Sequence, residues 1–232
     1  MLVRLNKHLS ELGFCSRREA DRLMEEKRIT VNGVLAEIGT KVTAEDLIEV
    51  DGKPLKKDNP MVYLAFHKPK GIVSTTDPEI KNNIVDYIQY PTRIFHVGRL
   101  DKDSEGLILM TNDGDIVNQI LRAENHHEKE YVVTVDQPIT QDFIQRMGQG
   151  VPILNTVTKP CTLTKTSSAT FRIVLTEGLN RQIRRMCSYF GYRVIALKRI
   201  RIMHLHLDVP VGHYRPLTEE EITTLFALLN QT

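Results

Sequence analysis

Apolar positions recur along this chain of 232 residues in two rhythms. Leu5, Leu9 and Leu12 lie at helical spacing and end at Gly13, a natural residue for a helix stop. Ser16 with Glu19 forms a capping box, and Ala20, Leu23 and Met24 follow at helical spacing. The spacing predicts helices over residues 4–12 and 17–26. Helical periodicity returns over 84–88, 116–121 (capped by Asp113 or Asp115), 140–147 and 180–190, and again after a second capping box, Thr218 with Glu221, through Leu229. The period-two or continuous apolar runs predict strands over 29–34, 47–50, 62–66, 94–97, 107–111, 128–135, 170–176 and 194–203. Asn32-Gly33 marks a tight hairpin turn inside the first of these. Between residues 53 and 60, two prolines and little apolar content read as a linker. The pattern therefore divides the chain into 1–56, a linker at 57–61, and 62–232. It predicts an α+β fold in which a mostly antiparallel mixed sheet is flanked by helices.

Composition adds limits. With 41% hydrophobic residues the chain can bury a substantial core, and wholesale disorder is excluded. The net charge of +2 says little about partners, but its distribution says more. From Leu179 to Leu207 the charged residues are Arg181, Arg184, Arg185, Arg193, Lys198, Arg199 and Arg201, with no acid among them. Such a stripe is an electrostatic footprint for phosphate. Cys15, Cys161 and Cys187 are odd in number and widely spaced, which argues against a disulfide framework and against a zinc knuckle, and fits a reducing cytosol. The N-terminus is too polar for a signal peptide, and no uncharged apolar run approaches membrane-spanning length. The expectation is a soluble, cytoplasmic protein, monomeric by default. His126-His127 suggest metal only superficially, for no third ligand stands at a known spacing, and no metal or other cofactor is expected. His204 and His206 are expected on one strand face against a solvated edge.

The chemistry concentrates around Gly98-Arg99-Leu100-Asp101-Lys102-Asp103-Ser104-Glu105-Gly106, a charged loop between two apolar runs. Loops held by rigid strands are where catalytic groups gather. Asp103 and Glu105 read as solvated loop charges or strand-turn caps. Lys68 and Lys70 flank a proline that fixes a turn, and are placed to meet phosphates. In the second helix, Arg17, Arg18 and Arg22 occupy the first turns, where the amino end already favours anions.

Two resemblances follow from these stretches. The Arg4 to Leu9 segment, the Cys15-Ser16-Arg17-Arg18-Glu19-Ala20 turn and the Val31-Asn32-Gly33 hairpin resemble the S4-like RNA-binding domain. That resemblance implies that Lys7, Arg17, Arg18, Arg22, Lys27 and Arg28 face RNA backbone. Lys68-Pro69-Lys70-Gly71, the Gly98 to Gly106 loop, Lys129-Glu130-Tyr131 and the Gly178 to Met186 segment resemble, in order and spacing, the pseudouridine synthases of the ribosomal small-subunit synthase family. The resemblance implies that Asp101 is the catalytic carboxylate, Tyr131 stacks on the target base, and Arg184 partners Asp101. It also implies that Ile183 packs on the other side of the base and that Arg99 helps expel the target nucleotide from its helix. Arg181 and Arg185 are expected to meet RNA, or simply to cover a helix. Ribosomal RNA of the large subunit is the implied partner, with transfer RNA as an alternative.

The reaction calls for such residues on its own terms. Isomerising uridine breaks the bond between ring nitrogen and ribose, turns the ring, and joins carbon five to the same sugar carbon. A carboxylate acts as nucleophile at the sugar or at the ring, or as base in a glycal route, and the residues leave these open. In a closed pocket it needs a cation, and the detached ring needs an aromatic face. A base inside a stem must first be flipped, which costs a few kcal/mol. Backbone contacts from the basic residues offset this. Two other classes compete: a non-catalytic RNA-binding assembly factor, which has no need of a carboxylate in a cationic cleft, and a nucleosidase, which would want a paired acid and an activated water.

Overall fold

The computed structural model describes residues 2–55 and 60–230, so residues 57–59 of the expected linker, with residue 56 before it, lie outside the described residues. Contacts gather the chain into two compact units, one of Met1–Val62 with Gln89–Phe95 and Thr111–Gly114, the other of the remainder.

In the first unit β1 (Val3–Arg4) leads into α1 (Leu5–Glu11), α2 (Arg17–Glu25), β2 (Ile29–Val31), β3 (Val34–Leu35), β4 (Lys41–Val42), β5 (Ile48–Val50) and β6 (Lys53–Pro54). The Ser16 hydroxyl accepts from Glu19 N at 3.0 Å, as a cap should. The expected reciprocal bond is replaced, because Glu19 turns its carboxylate to Arg22 at 2.6 Å. Asn32 and Gly33 both take positive φ, 51° and 81°, in the two-residue turn between β2 and β3. Leu5, Leu9, Leu23, Met24, Ile29 and Val42 form the centre of this unit's core. Lys53–Pro54 pairs back on β5 rather than belonging to a linker.

In the second unit the order is β7 (Tyr63–Lys68), α3 (Ile84–Ile88), β8 (Phe95–Val97), β9 (Glu105–Thr111), α4 (Asp115–Leu121), β10 (Lys129–Val135), α5 (Gln141–Gly148), β11 (Pro152–Ile153), β12 (Thr156–Val157), β13 (Thr162–Lys165), β14 (Thr170–Leu175), α6 (Gln182–Tyr189), β15 (Val194–Ile202), β16 (Leu205–His206), β17 (Tyr214–Pro216) and α7 (Glu219–Leu229). A nine-stranded sheet runs β13-β14-β10-β15-β9-β7-β17, with β16 on β15 and β8 on β9. β10 pairs antiparallel with both β14 and β15, while β15 and β9 run parallel through Lys198↔Glu105 and Arg199↔Gly106. The architecture is the expected α+β class with a mixed sheet. Two apolar clusters hold helices to it. One joins Val133, Phe171 and Ile173 to α5 through Phe143 and to α6 through Met186. The other joins Leu107 and Leu109 to α4 through Ile116 and to α7 through Leu225.

Short strands β11, β12, β13 and β17 were not legible in the apolar pattern, since each has exposed or mixed positions. The histidine pair is also placed differently from expectation. Met203 and His204 form the turn between β15 and β16, and His204 Nε2 lies 2.9 Å from Glu221 O on α7, leaving His206 exposed.

α7 begins with the full capping box, Thr218 with Glu221. Glu221 also accepts both guanidinium nitrogens of Arg215 at 2.7 Å, and that pairing holds its carboxyl down to about 2. The folded value lies below the ordinary 4.5, so the pair stabilises the fold above pH 4.5 and loses that contribution as pH falls toward 2. Glu221→Gln is therefore expected to lower the melting temperature at neutral pH and to flatten its fall between pH 4.5 and 2. Thermal melts across that range measure it, and an unchanged slope would contradict the assignment.

Candidate active site

The Asp101 loop is set by backbone pairing on both flanks. Ser74, buried, accepts from Leu100 N at 3.1 Å and donates to Leu100 O at 2.8 Å, clamping the residue before the aspartate. Gly71 N donates to Lys102 O at 2.7 Å, and Ser104 N closes a turn on Asp101 O at 3.0 Å. Beyond the turn, Gly106 lies so close to Arg199 that an added Cβ would stand 2.3 Å from its carbonyl oxygen. The loop thus leaves a strand that cannot shift.

Tyr131 arrives from the opposite side on β10. The β10–β15 register slips between Glu130, opposite Arg201, and Tyr131, opposite Arg199, so Ile200 has no direct partner. A bulge of this kind bends the strand and re-aims the side chain beside it. Tyr131 is buried, as are Leu175 and Leu197 around it.

α6 supplies the third side. Gln182 is buried, takes a bond from Leu179 N at 3.0 Å and donates to Glu177 at 2.7 Å, which ties down the loop before the helix. Ile183 is buried on the inner face. Arg184 is fixed by three acceptors: Nη1 donates to Val194 O at 3.4 Å, and Nη2 to Asp103 O at 3.2 Å and Ser104 Oγ at 3.1 Å. Its Nε is buried without a hydrogen-bond partner and stands 3.9 Å from Asp101 Oδ2. At that distance the pair is an ion contact and not a hydrogen bond.

A cavity of about 110 Å³ is lined by Arg99, Asp101, Tyr131, Ile183 and Arg184 together with Arg181 and apolar Leu100, Leu175, Leu179 and Leu197. All five residues expected at the reacting base are thereby brought together, with Arg99 exposed.

Several other expectations change. Lys68 does not face solvent: it is 0% exposed, and its ammonium donates to Pro69 O at 2.9 Å and Ile72 O at 2.8 Å. Burial pushes its pKa down to about 8 against the pull of Asp101. It braces the turn before the Asp101 loop and cannot meet phosphate, whereas Lys70 is exposed. Asp103 is exposed on its loop, as expected, and is ion-paired as well. Arg181 holds it at 3.2 Å and Arg184 at 3.3 Å. Burial alone would raise its carboxyl, but these two guanidiniums hold it below the usual carboxylate range. Arg181 also reaches Asp101 at 3.6 Å. Glu105 faces Lys198 at 3.4 Å and buried His67 at 3.6 Å. The basic stripe is broken up as well: Arg199 is buried with Nε on Leu107 O, and Arg201 is paired with Glu128 and Glu130, each at 2.9 Å.

In the first unit Arg17, Arg18, Arg22, Lys27 and Arg28 are exposed. Lys7 pairs with Glu11 at 3.2 Å, Arg22 with Glu19, and Arg28 with Asp51 at 2.6 Å. Exposed pairs of this kind are worth little and yield readily to a polyanion. Ser74, Gln182 and Asp103 are the positions that sequence reasoning missed. Ser74 stands in no recognised motif, and Gln182, though inside the Gly178 to Met186 segment, carries no charge to mark it.

Comparison with known proteins settles the family. A family model described as RNA pseudouridylate synthase matches residues 62–189, and one described as S4 domain matches residues 3–48. The dual-specificity RNA pseudouridine synthase RluF of Salmonella typhi is 55% identical over 98% of this chain and 80% of its own. The chain belongs to the RNA pseudouridylate synthase family. Within that family, the ribosomal large subunit pseudouridine synthase B of Bacillus subtilis is 34% identical over 98% of this synthase and 97% of its own chain. A crystal structure of a pseudouridylate synthase superposes with a TM-score of 0.70 at 29% identity, covering 96% of this synthase and 99% of that chain. The synthase carries an S4 domain ahead of its isomerase domain. Among the described residues, no helix of the synthase is long and apolar enough to cross a membrane.

Proposed function

We propose that this chain converts a specific uridine in a stem-loop of large-subunit ribosomal RNA to pseudouridine, acting as a cytoplasmic monomer. The observation that carries the reading is the gathering of Asp101, Tyr131, Ile183 and Arg184 around one cavity. The target nucleotide is expelled from its stem with Arg99 at the mouth, and its base enters between Tyr131 and Ile183. Asp101 acts on the sugar or on the ring, or abstracts a proton in the glycal route. In each case the bond from ring nitrogen one to the ribose breaks, carbon five takes its place, carbon five loses its hydrogen, and nitrogen one gains one. Arg184, immobilised by Val194, Asp103 and Ser104, sets its Nε toward the carboxylate. Tyr131 keeps the detached ring stacked while it turns. The walls from Leu100, Leu175, Leu179 and Leu197 keep out the water that would hydrolyse the intermediate.

The test is release of tritium from carbon five of uridine in ribosomal RNA. Binding without release by the unmodified protein would support a non-catalytic assembly factor instead. The Salmonella relative is named a dual-specificity RNA synthase, so transfer RNA belongs in the same assay. Mapping pseudouridines in both RNAs from cells lacking the gene identifies the site.

Arg17, Arg18, Arg22, Lys27 and Arg28 on the S4 domain, with Lys7, are assigned to RNA backbone, and Lys70, Arg181 and Arg185 to backbone near the cavity. Arg17→Ala with Arg18→Ala is expected to weaken RNA affinity and to flatten the plot of log affinity against log salt by about 1–2 units. An unchanged slope would remove that assignment.

A further inference from the structure

α6 and the residue before it border a second space beside the Asp101 cavity. Arg181, Arg184, Arg185, Ser188 and Tyr189 line one side of an open groove of about 470 Å³, and Pro152, Ile153 and Leu154 line the other. Arg181 and Arg184 also line the Asp101 cavity, so the two spaces share a wall. Tyr189 is 53% exposed, its ring set edge-on to Phe190 at 5.1 Å and 86°. Arg185 stands one helical turn earlier. Its Nε and Nη2 donate to Asn180 O and Oδ1 at 3.0 and 3.1 Å, which orients the guanidinium beside the groove. On the facing side, Leu154 and Asn155 both take positive φ, 50° and 59°, in the tight turn joining β11 to β12, a geometry that holds Leu154 at the rim.

We propose that this groove binds the nucleotide next to the flipped one, with Tyr189 stacked on its base and Arg185 on its phosphate. The proposal rests on reading the Asp101 cavity as the seat of the flipped uridine, because a strand with one base in that cavity continues past the shared wall. The composition selects the occupant. A half-exposed aromatic ring on a fixed neighbour, flanked by arginines, is the surface that single-stranded nucleic acid requires, since every base has a face to stack and every linkage a charge. A protein partner would want charge depleted from the centre, where this groove has three arginines. Stacking does not read the identity of the base, so the site favours an unpaired flanking nucleotide of any sequence.

The chain contains no tryptophan, so Tyr189→Trp places a single reporter in the groove. Unlabelled octauridylate titrated into that variant should quench its fluorescence, in step with the anisotropy of an end-labelled copy. Tyr189→Ala should bind octauridylate about tenfold more weakly and Tyr189→Phe as the unmodified protein does. Arg185→Ala should lower the salt slope by about 0.7. Binding without quenching, equal affinity in Tyr189→Ala, or no binding of octauridylate would each overturn the groove. Tritium release from ribosomal RNA, measured on the same preparations, reports the Asp101 cavity separately. Quenching with no release by the unmodified protein would overturn the isomerase reading and leave the groove standing, while release without quenching would do the reverse.

Discussion

Asp101→Asn is expected to bind ribosomal RNA as the unmodified protein does while tritium release from carbon five falls by at least about 10⁴-fold. The substitution keeps the shape of the side chain and removes its charge and nucleophilicity. The hydrogen bonds that hold the surroundings in place do not involve that carboxylate. Arg184 keeps its bonds to Val194 O, Asp103 O and Ser104 Oγ, and Leu100 keeps both of its bonds to Ser74. Any loss is therefore chemical rather than structural, and a melting temperature close to that of the unmodified protein checks this. Release within about tenfold of normal would move the chemistry to another residue, because no carboxylate nucleophile survives in the cavity as an alternative except Glu177, which is engaged by Gln182 and Lys159 N.

The largest loss of stability is expected from Gly106→Ala. Gly106 has φ of 124°, and an added Cβ would lie 2.3 Å from Arg199 O and 2.4 Å from Arg199 N. Both are backbone atoms of a strand paired on each side, so no side chain can swing away. The chain would have to separate β9 from β15 at the row that also carries Tyr131 opposite Arg199. A cost above about 3 kcal/mol is expected, which at this length lowers the melting temperature by roughly 6–12 °C. Gly114→Ala is the control: nothing lies within 4 Å of its Cβ position, and the change should stay within about 0.5 kcal/mol. Similar melts for the two variants would refute the close approach of the strands.

That row of three residues shows where sequence reading succeeds and where it stops. Gly106 and Tyr131 stand in recognisable motifs, and resemblance singles them out. Arg199 sits among basic residues and reads as part of a phosphate-binding stripe. Its burial follows from the parallel pairing of β15 with β9, a contact between segments 93 residues apart that no local pattern encodes. Lys68 fails for the same reason. A lysine beside proline reads as exposed, and only the path of the loop puts two carbonyl oxygens where its ammonium needs them. The pairing of Asp103 was not legible because its partners, Arg181 and Arg184, lie at the start of a helix far along the chain.

By itself the sequence determined the local elements: the helices, with their caps at Ser16 and Thr218, the β2–β3 turn, and the residues that resemblance marks as candidates for the site. Backbone preference, capping and apolar period act over a few residues, and are written there. The tertiary structure alone decided which charges oppose one another, that Ser74 clamps the Asp101 loop, and that a bulge aims Tyr131. Those outcomes depend on strand pairing between distant segments, where burial either satisfies a charge or excludes it.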